Sequence, residues 1–174
     1  MGGPERGTLG RMTIDSRRYD SRDDVPLRGY AALAATFGAG VALFSAVAHR
    51  RGIKLPERVP PWDVLLLGTA TYKASRLLTK DKITSFVRAP FTRREEDTSA
   101  GEVMDEPRGN GLRLAVGDLV SCPFCTSAWV AGALVGSYVV QPRAARLVGT
   151  GLTVVTVADW LQYAWTLTQQ KAGG

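Results

Sequence analysis

Histidine is almost missing from this chain: His49 is the only one in 174 residues. A Ser-His-Asp arrangement needs an imidazole between nucleophile and acid. His49 stands beside Arg50 and Arg51 at the end of an apolar run, where it fits an interfacial residue better than a base or a ligand. Cysteine is nearly as scarce. Cys122 and Cys125 lie three positions apart and cannot staple distant segments, which excludes a disulfide-built secreted module. No phosphate-cradling glycine motif with a Lys-Ser or Lys-Thr end is present. No basic stretch interleaved with aromatics offers a nucleic-acid platform. The length also excludes a large soluble enzyme with a separate cofactor domain.

Charge is missing in two long stretches. Residues 29–48 carry none for twenty positions, and residues 119–142 none for twenty-four. The mean hydropathy of −0.04 hides this, because the charge is gathered between such runs. A helix needs about 20 apolar residues to cross a bilayer, so both runs are long enough. Residues 1–26, polar and rich in opposing charges, have little to bury and read as a disordered tail. Arg17-Arg18 ahead of an apolar run resembles a twin-arginine signal. Asp20, Asp23 and Asp24 interrupt that pattern, and an uncleaved first span over 27–48 is the better reading.

Four spans are expected, at about 27–48, 62–78, 122–141 and 144–168, with 169–174 as a tail. In the first, Gly29, Gly38 and Gly40 among alanines would allow close helix approach within the chain or between copies. The second follows Pro60-Pro61, with Trp62 suited to an interface and Asp63 to the positive end of a helix dipole. Its far end carries Lys73 and Arg76. The third starts at the Cys-x-x-Cys pair and stops at Pro142-Arg143. The fourth ends among Trp160, Tyr163 and Trp165, an interfacial signature. With both termini inside, sixteen Lys and Arg fall on the inner side and six on the outer. The positive-inside rule therefore favours N-in and C-in, with loop 79–118 cytoplasmic. In that loop, Ile83, Phe86, Val87 and Phe91 suggest a short interfacial helix. The acidic stretch 92–111 reads as a mobile loop. The fold expected is all-α: a four-helix transmembrane bundle with that interfacial helix.

Two groups of residues are chemical candidates. Cys122 and Cys125 open a helix, whose dipole and free N–H groups favour a thiolate. They could be small packing residues covered by Trp129, a redox couple, or half of a zinc site. Zinc needs four ligands, so such a site would be shared across a homodimer. The second group lies within the spans. By helical rise Asp159 sits roughly 6–9 Å deep on the inner side, at a depth similar to that of Lys73. A Lys73–Asp159 or Arg76–Asp159 ion pair is geometrically reasonable, and a structural pair fixing helix packing is preferred to a transport group.

The run 76–91, RLLTKDKITSFVRAPF, followed by an acidic insert and by GDLVSCPFCTSAW at 117–129, resembles an uncharacterised bacterial membrane-protein family, the one numbered 1360 in the domain-of-unknown-function series. The matching positions are Arg76, Leu77, Thr79 and Asp81, then Arg88, Pro90 and Phe91, then Gly117, Asp118, Cys122, Cys125 and Trp129. The resemblance spans roughly 62–165. It implies an integral membrane protein, sporulation-protein-like, with no reaction attached. The function expected is that of a structural or partner-binding membrane component with a cytoplasmic functional face, more in keeping with a non-enzyme than an enzyme. Its expected partners are the lipid bilayer, an unknown protein, further copies of the chain, and no nucleic acid. A thiol-redox or metal-binding protein is the alternative, and a small transporter or channel the third.

Overall fold

The computed structural model describes residues 25–97 and 101–172. The chain order is α1 (Leu27–Arg50), α2 (Pro61–Thr79), α3 (Ser85–Arg88), β1 (Thr92–Asp97), β2 (Val103–Pro107), α4 (Gly111–Ser121), α5 (Pro123–Val140) and α6 (Pro142–Ala172). Prolines set three of the starts. Pro61, Pro123 and Pro142 each occupy a first helical turn, where a missing N–H breaks no intrahelical bond.

Three helices are long and apolar enough to cross a membrane by length and composition: Leu27–Arg50, Pro123–Val140 and Pro142–Ala172. Helix α2, with Asp63, Lys73 and Arg76 among nineteen residues, falls short of that composition. It is nevertheless the central element. It packs along α5 and α6, antiparallel to the first and parallel to the second. Leu67, Tyr138 and Ala145 form a small buried cluster between them, with Leu134 against it. So small a core leaves much apolar surface uncovered. Leu43, Leu65, Leu147, Val154 and Trp160 point outward, each more than half exposed. In water such a surface would be an aggregation liability.

Helix α1 is attached differently. Its first turn lies on α4, where a Cβ on Gly29 would come 2.6 Å from the Ala115 Cβ, so only glycine allows the approach. Further along it meets α5 through Phe37 and Phe44. The Phe37 ring meets Trp129 edge-on at 5.2 Å between centroids, and Phe44 lies over Gly136.

The segment between α2 and α5 bears on three expectations. The fold is not all-α: β1 and β2 form an antiparallel two-stranded sheet, in the register Thr92 with Pro107, Arg93 with Glu106 and Arg94 with Asp105, then irregular before Glu96. The stretch 92–111, expected to be a mobile loop, is therefore largely ordered. Opposed charges such as Arg93 and Glu106 stand side by side across the strands, which favours pairing over repulsion. Second, α4 adds a helix of eleven residues within the expected loop 79–118. Third, the expected interfacial helix is a single turn of four residues. Phe86 within it and Ile83 just before it are exposed, and Arg88 turns inward. The expected disordered tail, 1–26, lies outside the described residues except for Val25 and Pro26.

Candidate functional site

Most of the motif positions converge where the hairpin meets the end of α2. Arg88 is the hub, with a relative exposure of 0 %. A guanidinium has five N–H donors in a fixed fork, and all five are used. Nε donates to Asp105 Oδ2 at 2.6 Å. Nη1 donates to the Leu78 carbonyl at 2.9 Å and to Thr84 Oγ1 at 2.8 Å. Nη2 donates to the Asp81 carbonyl at 3.1 Å and to Ser85 Oγ at 3.3 Å. One side chain thus ties the end of α2, the turn after it, α3 and strand β2 together.

The neighbours complete the clamp. Thr79 is buried and donates to the Ser75 carbonyl at 2.8 Å. The Asp81 carboxylate accepts from the Ile83 N–H at 3.0 Å, shaping the turn. Thr84 Oγ1 bonds back to the Leu77 carbonyl. Backbone bonds from Val103 N to Lys80 O at 2.8 Å and from Lys82 N to Gly101 O at 3.0 Å lay this turn against β2. Arg76 grips Glu102 from the side, with Nη2 at 2.6 and 2.7 Å from the two carboxylate oxygens. The Pro90 carbonyl accepts from Arg113 Nη2 at 2.7 Å, and Arg108 N donates to the Phe91 carbonyl at 2.9 Å. Gly117 closes the contact between α4 and the hairpin: a Cβ there would lie 2.8 Å from the Phe91 carbonyl oxygen and 3.0 Å from Pro107. Asp118 accepts from Tyr30 Oη at 2.7 Å, which fastens α1.

The structure separates the ionic candidates of the helices. Lys73 Nζ lies 2.5 Å from Asp159 Oδ2, with side-chain exposures of 12 % and 37 %. Arg76, offered as the other partner of Asp159, is engaged by Glu102 one turn further on. A second network at the opposite end of α2 was not expected. Asp63 accepts from Arg146 Nε at 2.9 Å and Nη2 at 2.7 Å, and from Tyr138 Oη at 2.6 Å. It joins the first turns of α2 and α6 to the last turn of α5. The available signal was an acid two residues and an arginine four residues after a helix-starting proline, at the same end of two parallel helices.

Cys122 and Cys125 are free thiols at the α4–α5 junction. Cys122 caps α5, its sulfur accepting from the Cys125 N–H at 3.3 Å, and the two sulfurs stand 2.8 Å apart. Cys125 is exposed. Trp129 does not cover it; the indole is turned to Phe37. Among the described residues no group of three or more His, Cys, Asp or Glu side chains could hold a metal ion. One chain therefore supplies at most two thiolates to such a site.

Comparison with known proteins adds relatives. The sequence model of a family described as "Protein of unknown function (DUF1360)" matches residues 66–165. The curated protein "Sporulation protein YjcA" of Bacillus subtilis (strain 168) is 33% identical over 110 residues, a match that takes in 57% of this chain and 93% of that protein. No solved structure matches.

Proposed function

The chain belongs to the DUF1360 family, and from that premise we propose a four-span membrane protein, N-in and C-in, whose inner face is a folded platform for a protein partner. The observation that carries the reading is the buried Arg88 with its five internal hydrogen bonds. A buried charge is costly unless paired, and here it holds the hairpin, α3 and the turn before it against the end of α2. The platform displays charged side chains such as Arg93, Glu95, Glu96 and Glu106 on exposed strand positions. A fixed, charged, solvent-facing surface suits recognition. In this reading α2 spans with its charges neutralised, Asp63 by Arg146 at the outer end and Lys73 by Asp159 toward the inner. The name of the Bacillus relative extends the reading to a membrane component of sporulation.

Accessibility labelling tests it. With Cys122 and Cys125 replaced by Ala, Glu57→Cys should react with an impermeant maleimide on intact cells, and Glu95→Cys only after lysis. Reaction of Glu95→Cys from outside would end the proposed topology. Reversal of the exposed hairpin charges (Arg93→Glu with Glu106→Arg) keeps the cross-strand pair and should abolish the cellular phenotype without lowering the amount of folded protein. An unchanged phenotype would remove the platform role.

A second reading is favoured by the two sulfurs 2.8 Å apart beside an exposed helix start. It makes the pair half of a tetrahedral zinc site completed by a second copy, or a dithiol redox couple. Metal analysis of the purified chain separates these, with one ion per two chains expected for the shared site and none for the couple.

A further inference from the structure

Between α1 and α5 runs a groove of about 1000 Å³ that the clamp does not use. That is the upper end of the range of small-molecule pockets, about 300–1,000 Å³. The Phe37–Trp129 pair stands at one end, and Leu55, Gln141 and Ala144 border the other. Its walls are mostly apolar, with the Gln141 amide at the rim. The three hydroxyls that line it are bonded within their own helices: Thr36 to the Ala32 carbonyl, Ser45 to that of Val41, and Ser137 to that of Ala133, at 2.8, 2.8 and 2.7 Å. The rim is the reverse. The turn leading to Leu55 carries Arg50, Arg51 and Lys54, and Arg143 follows Gln141 by two residues. All four are exposed, and none pairs with a carboxylate among the described residues. Glu57 is the one acid between residues 49 and 62.

A mostly apolar trough ending in exposed cations, unpaired among the described residues, has the chemistry of an amphiphile with an anionic head. We propose that this groove binds an acyl chain of an anionic phospholipid of the outer leaflet, with Lys54 and Arg143 holding the phosphate. The inference rests on the four-span reading, which places α1 and α5 in hydrocarbon and the rim at the outer surface. A soluble phosphate would satisfy the rim but leave the trough unfilled. A zwitterionic lipid would fill the trough with no net charge to answer the cations. A basic residue near an anionic lipid contributes about 1 kcal/mol, about fivefold in occupancy.

Tryptophan quenching tests the proposal. The chain is prepared with Trp129 as its sole tryptophan (Trp62, Trp160 and Trp165 replaced by Phe). It is then reconstituted in phosphatidylcholine vesicles containing equal mole fractions of either phosphatidylglycerol or phosphatidylcholine with brominated chains. Phosphatidylglycerol should quench Trp129 several-fold more strongly. Lys54→Gln with Arg143→Gln should level the two lipids. Gly40→Leu, at a lining position where an added Cβ meets nothing within 4 Å, should reduce quenching by both. Native mass spectrometry of the unsubstituted chain, offered both lipids, should show phosphatidylglycerol retained. Equal quenching by the two lipids would overturn the proposal and leave the four-span reading standing. Absence of quenching by either would also overturn it: a dimer mass would then assign the groove to a second copy, and a monomer readily extracted from vesicles would refute the membrane placement itself.

Discussion

Arg88 and Asp105 form an ion pair with side-chain exposures of 0 % and 5 %, a setting in which removing one partner strands the other. Asp105→Ala should therefore destabilise the chain by about 3–5 kcal/mol, seen as a lower midpoint of thermal unfolding in detergent. Arg88→Met combined with Asp105→Leu should recover only part of that loss: no uncompensated charge is then buried, but the Leu78 and Asp81 carbonyls lose their donor. Lys73 and Asp159 make a second test. Their double-mutant cycle should show coupling of about 0.5–3 kcal/mol, whereas Arg76→Ala and Asp159→Ala should be additive, since Arg76 bonds Glu102 instead. The depth match of Lys73 and Asp159 was readable from helical rise alone. The assignment of Arg76 was not, because its partner Glu102 lies just before β2, in a stretch that composition disguised as loop. Asp63 was read only as a residue suited to a helix dipole, since nothing local to it points to Tyr138 or Arg146, more than seventy residues away in sequence.

At the scale of elements, the long helices were legible, and the hairpin and α4 were not. Apolar runs that begin at or just after a proline mark α1, α5 and α6. Strand β2 alternates Val103 and Asp105 inward with Met104 and Glu106 outward, a period of two that the acidic composition masked. An inward aspartate counts as polar in any pattern until the buried arginine that answers it is known. The junction of hairpin and α4 depends on close approach at Gly117. Gly117→Ala should loosen it, raising trypsin cleavage after Arg93 and Arg94. Gly40→Ala, where the added Cβ meets nothing within 4 Å, should leave cleavage unchanged. Equal cleavage in both variants would show that α4 is held by other contacts.

For the molecule as a whole, the sequence pointed to four long helices and to a charged segment between the second and third. It did not foresee how unequally those helices are joined. Helix α2 is fastened to α5 and α6 by Asp63 at one end and to α6 by Lys73 near the other. The thiol pair stands outside this fastening. Replacing Cys122 and Cys125 with Ala should leave the unfolding midpoint nearly unchanged, and a large drop would show that the pair holds α4 to α5. Helix α1 is joined by one turn on α4 and two aromatic contacts, and it lies outside the matched residues 66–165. Under a mechanical load the two parts should therefore behave as different springs. Drawn from its N-terminal end, the chain should release α1 first, in an early low-force step with a contour length of about one helix. The α2–α5–α6 unit should then yield in a single larger event, because its bonds at opposite ends of α2 must share the force until both fail.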